Sequence, residues 1–289
     1  MTYIVDYERG EPTVVLRSTA GNVAATFDLI GMVCSSLVLG GYEVFPPPAK
    51  VASYPGAGLA GMRLFAPWAG SIRPPRLADG TPQWTLAGEQ ITIERERLAG
   101  VRFDQHGLPA RGLIAHVPWQ VLETGAGAVS AHVTAQRLVG GDPAWPFQHL
   151  LRVTAELRAT TLTITTELHA GRSPVPAAFG WWPQLAVPPE SKVEAAVGAR
   201  WLLDGEGLPM VTGFAPRHTV PLSEHLLLRW LSGERLNELD TIDTTRPATD
   251  PPPPFKRMVI GSVDRRVTVW HETGYRSGFS ARHLSPGDS

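Results

Sequence analysis

The sequence holds a single cysteine, Cys34, and lysine only at Lys50, Lys192 and Lys256. One thiol cannot close an intrachain disulfide, and it cannot build a cysteine-based zinc site. No apolar run is long enough to span a bilayer as a helix. The opening residues, Met1 to Gly10, lack a basic start followed by an apolar stretch, so no signal peptide is expected. Net charge is almost absent, with a formal value of -1. That leaves no electrostatic case for nucleic acid or an anionic membrane as partner. Heptads, solenoid repeats and phosphate-cradling glycine motifs are missing, and helical signals are few. The histidines show no His-x-His or His-Glu-x-x-His spacing, so no metal and no cofactor are expected. The expectation is a soluble, cytoplasmic protein; a small-molecule partner and a monomer or homodimer are also expected.

Hydrophobic residues make up 43% of the 289, enough for a real core. Arginine in place of lysine, with many Ala, Gly and Pro residues, matches the codon bias of a GC-rich bacterial genome. Short apolar or alternating runs recur between turn residues from end to end. Early ones are Thr13–Leu16, Val23–Leu29, Val33–Leu39 and Tyr42–Phe45, after which Pro46-Pro47-Pro48 stops any ladder. Gln83–Leu86 and Gln90–Glu94 flank a hairpin turn at Ala87-Gly88-Glu89. Trp119–Glu123 and Val129–Ala135 flank a turn at Thr124-Gly125-Ala126-Gly127. Leu151, Val153, Ala155 and Leu157 alternate with polar residues, as do Leu162, Ile164 and Leu168. This two-residue period predicts a half-buried antiparallel hairpin. Later runs are Lys192–Leu203, Leu226–Trp230, Lys256–Val263 and Arg266–His271, the last two joined by a turn at Ser262–Arg265. Pro221–Leu226 reads as a single helical turn. The expectation is one all-β domain over 1–289, a large antiparallel sandwich of many short strands.

Gly61 to Trp119 concentrates glycine, proline, tryptophan and ionisable residues in two loop-like motifs, where an all-β protein keeps its chemistry. Phe65-Ala66-Pro67-Trp68-Ala69-Gly70-Ser71-Ile72 resembles the Pro-Trp-x-Asn-Arg-Ile loop of the aldose 1-epimerases (galactose mutarotases). His106-Gly107-Leu108, followed by Pro118-Trp119, resembles their His-Gly loop and the tryptophan downstream. Pro146-Phe147 and the alternating hairpin resemble their Pro-Phe strand pair. Pro174 to Pro183 resembles the Met-Pro…Gly-x-His-Pro segment, Trp201–Pro209 the segment before the long loop, and Leu239-Asp240 the Leu-Asp that supplies a sugar-binding acid. Order and spacing hold from Val14 to Val269. The resemblance implies a galactose-mutarotase-like β-sandwich (supersandwich) with its site in a concave open face.

In that family a late glutamate is the base, and the histidine of Gly-x-His-Pro is the acid that protonates the ring oxygen. Another histidine, an arginine and an aspartate hold the sugar. Carried over by position, the resemblance makes His106 and Asp240 the catalytic candidates here. Ser71 stands where the arginine belongs, and Arg63 and Arg73 lie close enough in sequence to replace it. Trp182 stands where the acid histidine belongs, and an indole N–H only donates a hydrogen bond. The late Glu-Pro motif is missing. Trp68 and Trp182 are expected to wall a substrate pocket, with His116 at its rim. His149, at the start of a strand, reads as a strand-end surface group.

Three readings follow from these residues. The first is a cofactor-independent acid–base enzyme, rebuilt on the family scaffold for isomerisation, dehydration or conjugate-addition cyclisation of a bacterial secondary metabolite. The second is a working aldose 1-epimerase with substitute groups. The third is a carbohydrate-binding protein without turnover.

Overall fold

The computed structural model describes residues 2–7, 12–45, 61–69, 83–86, 89–92, 102–103, 109–141, 145–172, 175, 179–186, 192–195, 199–202, 226–228, 238–242, 255–261, 266–272 and 277–279. Backbone packing groups the chain into two compact units, Met1–Ala186 and Val187–Ser289. Every described element is a strand, and all pairings are antiparallel, as the sequence patterning predicts. No described helix is long and apolar enough to cross a membrane.

The first unit opens with β1 (Tyr3–Tyr7), β2 (Thr13–Ser18), β3 (Ala24–Asp28), β4 (Val33–Leu39) and the short β5 (Tyr42–Glu43). β6 (Met62–Phe65) follows, then the pair β7 (Gln83–Leu86) and β8 (Glu89–Thr92), and the two-residue strands β9 (Arg102–Phe103) and β10 (Pro109–Ala110). β11 (Gln120–Ala126), β12 (Ala131–Val139), β13 (His149–Arg158), β14 (Thr161–Ala170) and β15 (Gly180–Pro183) complete it. One sheet runs β1-β2-β3-β4-β6-β15, with β5 paired to β4. A second runs β11-β12-β13-β14.

Alternation decides which side chains these sheets bury, because successive residues of a strand point to opposite faces. In the first sheet Val14, Leu16, Ala25, Phe27, Leu37 and Leu64 are buried. In the second, Ala131, Val133, Ala135, Leu151, Val153, Ala155 and Leu157 are buried. Full burial of one such Val, Leu or Phe side chain is worth about 1.5–3 kcal/mol. Polar ties fix the two sheets together at their margins. Tyr3 donates its N–H to the Gly127 carbonyl at 2.8 Å, and its hydroxyl accepts from the Ala159 N–H at 2.5 Å. At the far side the Trp181 Nε1–H donates to Thr166 Oγ1 at 2.9 Å.

The 149–170 hairpin matches its predicted pattern, with Arg158 opposite Thr161 across a two-residue loop. The turn between β11 and β12 lies later than the sequence suggests. Thr124, Gly125 and Ala126 stay in the ladder, and the chain reverses at Gly127–Ser130, where Gly127 N–H bonds the Ser130 carbonyl at 3.0 Å. Gly125 belongs in the strand because the cross-strand His132 ring lies over it, in the space a Cβ would need. The β7–β8 turn is also tighter than expected, since Glu89 already pairs with Leu86.

His149 is not a surface group. It is 1% exposed, and its Nδ1 donates to the Phe147 carbonyl at 2.8 Å. Strand start and surface come apart here because Trp145 and Phe147, which precede it, are themselves buried, with ring centroids 5.3 Å apart.

In the second unit the predicted Lys192–Leu203 run divides into β16 (Lys192–Ala195) and β17 (Ala199–Leu202), which join different sheets. β18 (Leu226–Leu228), β19 (Glu238–Ile242), β20 (Phe255–Gly261), β21 (Arg266–Glu272) and β22 (Ser277–Phe279) follow. One sheet runs β18-β16-β20-β21 and another β17-β19-β22. Gly261 pairs with Arg266, so the predicted reversal between the last two apolar runs is present. The Pro221–Leu226 turn lies largely outside the described residues, which begin again at Leu226.

Two predictions follow from the buried groups. Burial, with a smaller contribution from the nearby Glu43 charge, pushes the Cys34 thiol far up from its ordinary value. A thiol reagent should leave Cys34 unlabelled in the native protein and label it fully in denaturant. Burial also lowers the His149 pKa below 6.5, against a smaller opposing effect from its bond to Phe147. The neutral form is favoured in the fold, so His149 stabilises fully above 6.5 and that stability is lost as pH falls toward the lowered folded value. The melting temperature should therefore drop more between about pH 7.5 and about pH 5.5 in the wild type than in His149→Leu. Equal drops would clear His149 of that role.

Candidate functional site

The site grows from the register of two short strands. β15 pairs with β6 so that Gly180 faces Phe65, Trp181 faces Leu64, Trp182 faces Arg63 and Pro183 faces Met62. Cross-strand partners share a face, and the next residue along points away. Trp181 accordingly reaches inward to Thr166, while Trp182 shares the other face with Arg63 and Phe65. Gly180 puts no side chain between Trp182 and Phe65, and the two rings meet edge to face at 5.8 Å and 78°. Phe65 is buried, whereas Trp182 remains 42% exposed. The indole thus packs on a buried ring and stays partly exposed.

A third segment closes on this indole. Residues 111–119 form a strap across the first sheet. At one end Leu113 N–H bonds the Ala66 carbonyl at 2.7 Å. At the other, Gly31 N–H bonds the Val117 carbonyl and Trp119 N–H bonds the Leu29 carbonyl, both at 2.8 Å. Ile114 and Trp119 anchor the strap by burial. Its first two residues are left-handed, with φ of 67° at both Arg111 and Gly112. For Gly112 this is obligatory, because a Cβ there would collide with the Ala66 carbonyl. For Arg111 the same conformation costs about 1–2 kcal/mol. It also sets the Arg111 guanidinium over the Trp182 ring, Cζ 5.2 Å from the centroid. Such a cation–π contact returns about 0.5–1 kcal/mol at an exposed site.

The structure brings together only some of the residues expected from sequence. Arg63 and Trp182 are cross-strand neighbours, and Arg63 Nε is buried. Trp68 is 4% exposed and packs against Trp145, with centroids 5.3 Å apart, so it belongs to the aromatic interior below the loop. His116 is exposed in the strap's turn. Asp240 lies in β19 of the second unit, opposite Arg200 on one side and Phe279 on the other. His106, Ser71 and Arg73 lie outside the described residues. Among the described residues no three His, Cys, Asp or Glu side chains are grouped to hold a metal ion.

Arg111 is the member that sequence reasoning missed. Its signal was present in the Arg-Gly pair just upstream of Pro118-Trp119, since glycine after a bulky residue in a loop marks a left-handed turn. What the sequence could not supply was the partner, a tryptophan about seventy positions away.

Solved structures place this architecture among known folds. A galactose 1-epimerase from Lactobacillus acidophilus superposes with a TM-score of 0.59 at 14% identity, over 91% of this chain and 77% of that one. A galactose mutarotase-like protein from Clostridium acetobutylicum gives 0.60 at 16% identity, over 89% and 76%. A galactose mutarotase related enzyme from Lactobacillus acidophilus gives 0.60 at 12%, over 94% and 78%. No protein-family profile and no curated protein matches the sequence. At these identities the likeness is one of fold, and the chain has the galactose-mutarotase-like β-sandwich fold that its motifs imply.

The strap's dependence on Gly112 is open to measurement. Gly112→Ala adds both left-handed strain and a backbone collision, and it should cost at least about 2–3 kcal/mol in urea unfolding. Gly21→Ala is the control. Gly21 has φ of 73° but open space around it, so only the strain of about 1–2 kcal/mol should appear.

Proposed function

We propose that this chain is an enzyme on the galactose-mutarotase-like scaffold, a divergent member of the aldose 1-epimerase family. Its rebuilt acid–base site works without a cofactor on a small molecule other than a free hexose. The observation that carries this reading is Trp182. Where the resemblance expects the acid histidine, an exposed indole stands with Arg111 over its ring. Neither group gives up a proton near neutral pH, so protonation of a sugar ring oxygen from this position is not available.

The chemistry then falls to other groups. His106 is the general acid or base, because an imidazole titrates near working pH. Asp240 is the second catalytic candidate that the resemblance supplies. Arg63 or Arg73 polarises a carbonyl and stabilises the oxyanion formed when the base removes a neighbouring proton. Return of that proton elsewhere gives isomerisation, loss of a β-hydroxyl gives dehydration, and internal attack on the conjugated product gives cyclisation. The flat Trp182 face suits a substrate with a bulky unsaturated or polycyclic part, such as a bacterial secondary metabolite. The partly exposed indole also favours a second reading, a carbohydrate ligand held against it without turnover.

Polarimetry separates these readings. With α-glucose or α-galactose the protein should leave the rate of mutarotation at its uncatalysed value, and clear acceleration would return the chain to sugar epimerisation. On a substrate it does turn over, His106→Ala should lower kcat by about 10²–10⁴-fold. Unchanged activity would remove His106 from the mechanism. Binding of simple sugars with no turnover of any candidate would favour the second reading.

A further inference from the structure

The inward row of β14 is apolar with one exception. Leu162, Ile164, Thr166 and Leu168 lie opposite Leu157, Ala155, Val153 and Leu151, and all four of those partners are buried. Thr166 is the single hydroxyl in the row. Valine has nearly the same shape and would pack there with no polar group to satisfy. The hydroxyl finds its partner in another strand: Thr166 Oγ1 accepts the Trp181 Nε1–H at 2.9 Å.

That bond crosses between the two sheets. β14 ends the β11-β12-β13-β14 sheet, and β15 ends the other, beside β6. β15 has only four residues, so few ladder bonds set its pose. Backbone bonds from Gln184 N–H to the Gly61 carbonyl and from Ala186 N–H to the Val44 carbonyl fasten the chain beyond it. Among the described residues, the side-chain hydrogen bond that β15 makes is the one to Thr166. Trp181 and Trp182 are joined by one peptide and face opposite ways. Holding one indole inward therefore fixes the rotation of the strand about its own axis. It also sets how the other indole stands against Phe65, which it meets edge to face.

We propose that Thr166 is a positioning residue: its hydroxyl, acting through the Trp181 indole, sets the pose in which β15 presents Trp182. A lone hydroxyl in an apolar row here serves orientation. This inference rests on the reading that Trp182 lines the substrate site, and it adds the residue that holds Trp182 in place from the opposite sheet.

Fluorine NMR of the full chain labelled with 5-fluorotryptophan tests this. Nine tryptophans give nine resonances, and Trp181→Phe and Trp182→Phe assign the two that matter. A soluble gadolinium chelate should broaden the Trp182 line more than the Trp181 line, in keeping with the exposure of Trp182. Thr166→Val should shift both lines and reduce that difference in broadening. Thr166→Ser keeps the hydroxyl and should leave both lines in place. With Phe at position 181, Thr166→Val should leave the Trp182 line unmoved, because the hydroxyl then has no indole to hold. Should Thr166→Val fail to fold, Thr166→Ala set against Thr166→Ser makes the same comparison. A Trp182 line that stays put when the hydroxyl is lost, that moves equally in Thr166→Ser, or that still moves without the Trp181 indole would each overturn the proposal. The underlying site reading fails differently: Trp182→Ala would leave turnover of a true substrate unchanged, while the shifts caused by Thr166→Val would stand.

Discussion

One carbonyl holds much of this site in place. The Ala66 oxygen accepts the Leu113 N–H, and only a residue without a Cβ can pass beside it at position 112. That contact joins the end of β6 to the start of the strap. It places Arg111 in a left-handed conformation and so carries its guanidinium to Trp182. A buried peptide group must be paired, and here the pairing also fixes where a charged side chain projects. The strain at Arg111 is sustained because the strap is fastened at both ends, at Ala66 and at Leu29–Gly31.

The aromatic residues divide by the same alternation that builds the sheets. Trp181 and Trp182 are adjacent, yet one turns inward to Thr166 and the other outward beneath Arg111. Trp68 and Trp145 are interior, tilted at 55° to each other. His149 is buried too, with its pKa lowered by burial and its ring bonded to the Phe147 carbonyl. Trp182 itself meets the buried Phe65 ring edge to face and remains partly exposed. The first sheet supplies that ring pair and the second sheet backs it.

The resemblance to the aldose 1-epimerases and the fold agree, and the departures in the motifs gain meaning from the geometry. A histidine in place of Trp182 would offer a proton, whereas the indole offers a surface. Ser71, which stands where the motif has an arginine, lies outside the described residues, and Arg63 is the cross-strand partner of Trp182. Arg111 supplies another from a direction the motifs do not announce. Fold likeness alone does not set the reaction.

The sequence by itself determined the fold class, most strands and the strongest hairpin, because a two-residue period and turn residues are local signals that survive without tertiary context. Leu151, Val153, Ala155 and Leu157 announced their burial in this way. It also marked Trp182 and Arg63 as site candidates by their positions in familiar motifs. Tertiary structure decided what local pattern does not encode. It carried the β11 ladder through Gly125 to Ala126, with the His132 ring over Gly125. It buried His149 and took Trp68 into the interior. It joined Arg111 to Trp182, since the strand register and strap hydrogen bonds that set that distance are long-range pairings, fixed only when the whole sheet has formed.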